Sequence, residues 1–298
     1  MNQAPSFRLH DNTGTNPPGE ISSLRFARRK ESWVAVSSGR FYKIIRKSDD
    51  PLRDLCDPEC IETARREYSD MRFLHGISER ACLPERIEQA CIVYPSLAGP
   101  DMRTLLMDTA AHDRHGACLR DAMALLARLH HPDGKSATCP AKDYRRDSFL
   151  PPDGDSLERM ERRERTLVVT GFEARNFRFD QDRAAWFFFD PHHLWLGFPE
   201  EDFARFVISL MMIKGRLRGF RPWMGFDRFG LLSIYEDLAP ARLDRKLLNY
   251  FLREQLAKRR FHAMQATRHM HAAVRVLVRQ YTDLYYRALQ RSLGSREF

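Results

Sequence analysis

The sequence has no long apolar run and no segment typical of a membrane-targeting signal. None of its apolar runs reaches the ~20 residues that a helix needs to cross a bilayer, which argues against an integral membrane protein. Residues 1–20 are polar and carry neither the basic nor the apolar region of a signal peptide. We interpret them as a flexible lead-in and expect a cytoplasmic protein, whose contact with the inner membrane would be peripheral.

The six cysteines follow no pattern typical of a metal site. Cys56 and Cys60 form a loose pair, but no second pair stands at the spacing of a zinc site. The other four cysteines are scattered, so we expect ordinary reduced thiols.

Positive charge is concentrated near the C-terminus. The net charge is +9, and residues 241–298 carry thirteen lysines and arginines against four aspartates and glutamates, which accounts for the whole excess. Their apolar residues keep a helical period. This basic helical region indicates either an anionic partner, such as an anionic lipid or a phosphorylated glycan, or a solvated helical face. Nucleic acid is the least favoured partner, because no aromatic and basic module accompanies the charge.

A lysine and a glutamate stand at apolar positions in the N-terminal part. Residues 21–47 predict three short antiparallel strands, and Lys43 alternates with apolar residues on one face of the third strand. Residues 58–76 predict a helix whose apolar stripe contains Glu67. Each charge is costly to bury alone, so the two predict a buried pair. The alternative is an edge-strand lysine that faces water.

The order of elements predicts two lobes. We expect an N-terminal lobe over residues 21–98 and a C-terminal lobe over residues 99–298, with a hinge after the strands of residues 84–94. A polar segment rich in proline and glycine predicts an insertion at about 131–165 in the second lobe.

The most informative stretch is residues 166–193, which predict a strand, a loop and a hairpin. Asn176 follows the first strand, and Asp190 ends the last one. The hairpin would bring the two side chains together, and their oxygens suit Mg²⁺ bridging the phosphates of a nucleotide. Alternatively, both are turn residues.

Three segments in this order resemble the protein-kinase-like superfamily, and more closely its bacterial lipopolysaccharide-core kinases and aminoglycoside phosphotransferases. The segments are REYSDMRFLHGI, ACIVYPSLAGPDMRTLL and FFFDPHHLWLGFPEEDFARFV. The resemblance covers roughly residues 21–215. It implies an α+β, two-lobe fold with a small β-rich N-terminal lobe containing one helix and a larger, mainly helical C-terminal lobe.

The resemblance also implies roles for individual residues. ATP and Mg²⁺ would be the cofactors. Lys43 would contact the ATP phosphates and Glu67 would orient Lys43. Tyr94 and Leu97 would line the adenine pocket. Asn176 and Asp190 would hold Mg²⁺, and Asp202 would brace the catalytic loop.

The catalytic loop departs from the family pattern. Counting back five residues from Asn176 places Gly171 where the family has the aspartate that accepts the substrate proton. Glu173 could serve as a displaced base, or it could be ion-paired with Arg175 or another basic residue. No GxGxxG motif lies between the first strands.

Two functions remain open from the sequence. The first is a divergent ATP- and Mg²⁺-dependent phosphotransferase that acts on a hydroxyl of a glycolipid, a saccharide of lipopolysaccharide type or a small molecule. The second is a pseudokinase that lacks the catalytic aspartate and serves as a nucleotide-binding or empty regulator or scaffold, for example in envelope polysaccharide biosynthesis.

Overall fold

The computed structural model describes residues 19–29, 31–108, 112–132, 139–213 and 227–294. These residues divide into two compact units. The first unit comprises the described residues up to Ser69 together with Pro84–Ser96. The second comprises Asp70–Leu83 and the described residues from Leu97 onward.

The first unit is built on one antiparallel sheet with the strand order β1-β2-β3-β5-β4. Its strands are Ala27–Arg28 (β1), Ser32–Ser37 (β2), Arg40–Ile45 (β3), Arg86–Glu88 (β4) and Cys91–Pro95 (β5). Its helices are Gly19–Ser22 (α1), Pro51–Leu55 (α2) and the part of Pro58–Ile77 (α3) up to Ser69. The three strands predicted in residues 21–47 are therefore present.

The turn between β2 and β3 explains the register of this sheet. Ser38 and Gly39 have φ values of 48° and 72°, and two consecutive left-handed residues are typical of the hairpin turn whose twist matches that of the strands. The resulting register pairs Lys43 with Val34 on one side and with Ile92 on the other. Lys43 thus lies on a central strand, where a side chain has neighbours on both sides.

The second unit is mainly helical. Its helices, besides the end of α3, are Met102–Met107 (α4), His112–His130 (α5), Tyr144–Asp147 (α6), Gly154–Glu161 (α7), Pro199–Met211 (α8), Arg228–Leu238 (α9), Arg245–Ala266 (α10) and Ala272–Gly294 (α11). Asp101 caps α4 by accepting a hydrogen bond from the Thr104 backbone nitrogen at 2.7 Å. None of the helices in the described part of the chain is both long enough and apolar enough to cross a membrane.

The strands within residues 166–197 form two small antiparallel sheets. Thr166–Thr170 (β6) pairs with His193–Gly197 (β9), and Phe177–Asp180 (β7) pairs with Ala185–Phe188 (β8). Four phenylalanines from the loop, the hairpin and α8 pack ring against ring in the core below them, namely Phe172, Phe177, Phe188 and Phe206. Because every residue of α8 is buried, this helix is the central support of the unit.

Candidate functional site

Lys43 and Glu67 form a buried ion pair in the first unit. Lys43 Nζ lies 2.8 Å from Glu67 Oε1 and 2.7 Å from Glu67 Oε2, and the two residues are only 8% and 7% exposed. The sequence prediction of a buried lysine–glutamate pair therefore matches the structure. The glutamate on α3 fixes the position of a positive charge on β3, as both oxygens accept hydrogen bonds from one ammonium group.

The two residues predicted to line the adenine pocket lie in different units. The Tyr94 hydroxyl on β5 donates a hydrogen bond to Glu67 Oε1 at 3.0 Å, which makes it a third member of the buried polar group. Leu97 follows β5 by two residues, belongs to the second unit and is half-buried. An adenine-binding role for either residue stays a prediction.

The β7–β8 hairpin places Asn176 beside the backbone of Asp190. The Asn176 backbone oxygen accepts a hydrogen bond from the Phe189 backbone nitrogen at 3.0 Å. Asn176 Nδ2 donates to the backbone oxygens of Gly171 at 2.8 Å and of Asp190 at 3.3 Å. An amide nitrogen has two hydrogens, and Nδ2 has two acceptors here. The side-chain oxygen, Oδ1, is the atom that can accept a hydrogen bond or bind a cation.

The donor set of this hairpin fits a hard divalent cation in part. An Asn carbonyl oxygen and an Asp carboxylate are ligands that Mg²⁺ prefers. Asp190 has a φ of 66°, a left-handed conformation that aspartate tolerates better than most residues. In the described part of the chain, no group of three or more His, Cys, Asp or Glu side chains could hold a metal ion. A cation at Asn176 and Asp190 would therefore need phosphate oxygens and water to complete its shell.

Gly171 is held where no other residue fits. Its φ is 111°, and a Cβ atom built on it would stand 2.8 Å from the Asp190 carbonyl oxygen and 3.0 Å from His192 Cδ2. The His192 backbone nitrogen also donates to the Thr170 oxygen at 2.6 Å, so the two segments are closely apposed. The position at which the sequence resemblance would place an aspartate thus has neither the backbone conformation nor the space for one.

Glu173 is a buried, ion-paired carboxylate. Its Oε1 lies 2.6 Å from Arg259 Nη2 on α10, and its Oε2 lies 2.9 Å from Arg175 Nε. Desolvation raises the pKa of Glu173, but the charges of Arg259, Arg175 and Arg205 outweigh it, so the pKa lies below its ordinary value. A lower pKa makes a weaker base. The base role of Glu173 stays a prediction, and the geometry favours the alternative, an ion-paired glutamate.

Asp202, in the first turn of α8, braces the strand that leads into the loop. Its Oδ2 accepts a hydrogen bond from the Val169 backbone nitrogen at 2.5 Å, and His130 Nε2 lies 3.5 Å from the same oxygen. His130 Nδ1 in turn lies 2.8 Å from the Tyr235 hydroxyl. Burial raises the pKa of Asp202 despite these contacts. A second hydrogen bond ties the other end of the loop to α8, since Ser209 Oγ accepts from the Ala174 backbone nitrogen at 3.0 Å.

Two further buried glutamates, Glu200 and Glu201, precede Asp202, and no local sequence pattern indicates their partners. Glu201 accepts from Lys142 Nζ at 2.6 Å, from the Tyr144 hydroxyl at 2.8 Å and from Arg205 Nη2 at 2.9 Å. Burial raises the pKa of Glu201, but the charges of Lys142 and Arg205 lower it further, so the net shift is downward. The lysine and the tyrosine come from the segment predicted to be an insertion, which holds α6 and α7 and contacts α8 through these two side chains.

The comparisons with known proteins concern the fold. No protein-family profile matches the chain, and no curated protein matches it significantly. Solved structures do match. A proposed aminoglycoside phosphotransferase from Ralstonia eutropha has 14% identity and a TM-score of 0.56, with 94% of each chain covered. A choline/ethanolamine kinase family protein from Mesorhizobium loti has 12% identity and a TM-score of 0.52, with 94% of this chain and 90% of that chain covered.

A third structure contains ligands. It is the spectinomycin phosphotransferase APH(9)-Ia in complex with ADP and spectinomycin, with 12% identity, a TM-score of 0.51 and coverage of 90% of this chain and 93% of that chain. At these identities the similarity establishes the fold. The chain has an α+β, two-lobe, protein-kinase-like fold, with a small β-rich N-terminal lobe and a larger, mainly helical C-terminal lobe, as the sequence predicted.

Proposed function

We propose that this protein is an ATP- and Mg²⁺-dependent phosphotransferase that acts on a hydroxyl group. The observation that carries the proposal is the buried contact of Lys43 with both carboxylate oxygens of Glu67. A buried ion pair contributes little stability compared with apolar residues of the same volume, so packing alone gives little reason for one. An oriented ammonium group on a central strand is well suited to bind the α- and β-phosphates of ATP.

Asn176 and Asp190 would supply the protein ligands of the metal. Their adjacency supports this assignment, as does the commitment of both Asn176 amide hydrogens to backbone carbonyls. When bound, Mg²⁺ would neutralise charge on the β- and γ-phosphates. The chain's own part is to hold these two residues next to each other, through the β7–β8 hairpin and the Phe189–Asn176 backbone hydrogen bond.

The transfer does not depend on a carboxylate at position 171. The acceptor oxygen would form a bond to the γ-phosphorus, the bond from that phosphorus to the bridging oxygen would break, ADP would leave, and the hydroxyl proton would pass to water. Because the transition state is loose, positioning and charge neutralisation carry most of the catalysis. Absence of a general base would cost on the order of 10²–10⁴ in rate, so we expect a slow enzyme.

The acceptor is proposed only as a class. The sequence resemblance to lipopolysaccharide-core kinases favours a saccharide or glycolipid hydroxyl. The solved structures include a spectinomycin phosphotransferase and a choline/ethanolamine kinase family protein, which favours a small molecule.

A pseudokinase is the second candidate, and one observation favours it. The conformation of Gly171 and the close approach of Asp190 and His192 leave no room for the usual catalytic aspartate. A protein released from catalysis could retain Lys43, Glu67, Asn176 and Asp190 for nucleotide binding alone, and act as a regulator or scaffold.

Calorimetric titration with ATP, with and without Mg²⁺, tests both candidates. We expect binding that depends on Mg²⁺ in the wild type and is lost in Asp190→Ala. Asp182→Ala is the matched control, because Asp182 is an exposed aspartate in the turn of the same hairpin. Absence of ATP binding at any Mg²⁺ concentration would exclude the phosphotransferase. Binding without transfer of labelled γ-phosphate to any member of a panel of saccharides, glycolipids and amino alcohols would favour the pseudokinase.

A further inference from the structure

The last helix, α11, has an exposed apolar surface that the proposed function does not use. Val274, Val276, Leu277 and Leu284 are 50%, 55%, 68% and 62% exposed. Three of them, Val274, Leu277 and Leu284, follow one another at intervals of three and seven residues and so lie on one side of the helix. We call these four residues the α11 apolar surface.

This surface is separate from the face by which α11 packs on the protein. The buried residues of α11 lie mainly in its second half and include Thr282, Tyr285, Tyr286 and Leu289. The Tyr285 hydroxyl donates to the Met211 backbone oxygen at 3.4 Å, which fixes that half of the helix to the end of α8. The residues from Ala272 to Leu277 are exposed or half-buried. In the first turns, therefore, aliphatic side chains face solvent although the helix is anchored further along.

Basic residues outnumber acidic ones in α11 and in the residues just before it. From residue 268 to residue 294 the chain has five arginines and one acidic residue, Asp283. Asp283 Oδ2 lies 2.7 Å from Arg287 Nε, and its Oδ1 is paired with Arg260. Arg275 donates to the Met270 backbone oxygen, and Arg279 donates to Thr267 Oγ1. Those acceptors are neutral, so neither of these hydrogen bonds pairs a guanidinium group with a carboxylate.

We propose that α11 binds the surface of a membrane that contains anionic lipids. A helix that lies in the membrane interface buries aliphatic side chains at the boundary with the acyl chains, while its basic residues contact the lipid phosphates. The α11 apolar surface and its flanking arginines combine these two features within a few turns. The proposal is independent of the phosphotransferase activity, because none of these residues belongs to the candidate site.

The charges and the width of the surface disfavour two other occupants. A second copy of the chain would pair this face with itself in a symmetric dimer and so bring arginines close to arginines. A single partner helix would need a narrow apolar seam. Val276, Leu277 and Val274 instead spread over about 160° of the helix circumference at about 100° per residue. A lipid surface accepts an apolar face of that width.

Vesicle co-sedimentation of the full chain tests the proposal. The vesicles are phosphatidylcholine alone, or phosphatidylcholine with a third of the lipid replaced by phosphatidylglycerol, each at low and at high salt. At low salt, we expect the wild type to bind the anionic vesicles at least about tenfold more strongly than the neutral vesicles. High salt should weaken the binding to anionic vesicles. The double variant Val274→Ser/Leu277→Ser should bind about tenfold more weakly.

Two further variants separate the contributions. Arg275→Gln/Arg279→Gln keeps a hydrogen-bond donor at each position and should lose the salt-dependent part of the binding. Val36→Ser is the matched control, because Val36 is a 64% exposed aliphatic residue on β2, and it should bind like the wild type. Circular dichroism melts establish that each variant is folded.

Three outcomes would overturn the proposal. The first is equal binding to neutral and anionic vesicles. The second is unchanged binding of a folded Val274→Ser/Leu277→Ser variant. The third combines two results: the wild type does not bind vesicles, and ultracentrifugation shows that the wild type is a dimer while this variant is a monomer. The α11 apolar surface would then be covered by a second copy of the chain.

Discussion

A Cβ atom at Gly171 would stand 2.8 Å from the carbonyl oxygen of Asp190. Asp190 is the proposed metal ligand, and its own backbone is left-handed, with a φ of 66°. The backbone at Asp190 can therefore approach position 171 this closely because the residue there is glycine. An aspartate at position 171, where the sequence resemblance would place the catalytic residue, is disfavoured by the backbone beside it.

Restoring the aspartate should therefore damage the protein. We expect Gly171→Asp and Gly171→Ala each to lower the free energy of unfolding by ~2–5 kcal/mol, which combines the cost of a left-handed backbone conformation with that of overpacking. Urea denaturation measures the change. Gly39→Ala is the control, since Gly39 has a φ of 72° but nothing lies within 4 Å of its Cβ position, and it should cost only about 1–2 kcal/mol. A Gly171→Asp variant of wild-type stability with faster phosphate transfer would refute this account.

The pair of Lys43 and Glu67 allows stability and nucleotide binding to be separated. Lys43→Met leaves Glu67 buried without its cation, so we expect it to lower the free energy of unfolding by ~3–5 kcal/mol. Lys43→Met/Glu67→Leu removes both charges and should recover most of that loss, to within about 1–2 kcal/mol of the wild type.

Nucleotide affinity should respond differently. Calorimetry should show ATP binding severely weakened in the single and in the double variant alike, because both lack the ammonium group. If the double variant bound ATP like the wild type, the pair would be purely structural and the main support for the proposed function would be lost.

The lowered pKa of Glu173 predicts a pH-dependent contribution to stability. A carboxyl whose folded pKa lies below its unfolded value stabilises the fold above the unfolded pKa and loses that contribution as the pH falls through the folded pKa. The reference value is 4.5. Glu173→Gln should therefore be less stable than the wild type at neutral pH, and the difference should shrink below about pH 4.5. Urea denaturation at a series of pH values measures it.

Activity distinguishes the two interpretations of Glu173. An ion-paired glutamate that positions the loop predicts similar activities for Glu173→Gln and Arg259→Gln, because each removes the same contact. A general base predicts a loss of ~10²–10⁴ in rate for Glu173→Gln, without a comparable loss for Arg259→Gln.

The parts of the site that follow from local patterns could be predicted from the sequence. Burying the charge of Lys43 or Glu67 alone at an apolar position would cost free energy, and this cost predicted that the two form a pair. Asn176 and Asp190 flank a recognisable hairpin, so their adjacency followed from the turn between the strands.

Contacts between distant segments could not be predicted in this way. Strand β9 was not predicted, because its pairing with β6 depends on a segment far away in the chain. Likewise, nothing near Glu173 in the sequence indicates Arg259, and nothing near Glu201 indicates Lys142. Such partners are set by how helices pack, for which the local sequence carries no periodic signal.

The hydrogen bond from the Val169 backbone nitrogen to Asp202 predicts which of two substitutions does more damage. Asp202→Ala leaves this buried N–H without an acceptor, so we expect it to lower the free energy of unfolding by ~1–3 kcal/mol. Asp202→Asn keeps an acceptor oxygen. Burial raises the pKa of Asp202 above its reference value of 3.8. The free energy of unfolding therefore falls as the pH rises from the unfolded pKa of this carboxyl to its folded pKa. An uncharged asparagine avoids this loss, so Asp202→Asn should be the milder change at neutral pH.

Amide hydrogen exchange locates the effect of Asp202 on the loop. In Asp202→Ala the Val169 amide should exchange roughly 10–100 times faster than in the wild type, the factor that corresponds to about 1.4–2.8 kcal/mol. Ser209→Ala is the control, because it removes the other tether, the acceptor of the Ala174 amide. It should accelerate exchange at Ala174 and leave Val169 protected. If both variants accelerated both amides equally, the loop would open as one unit, and the separate bracing role of Asp202 would be wrong.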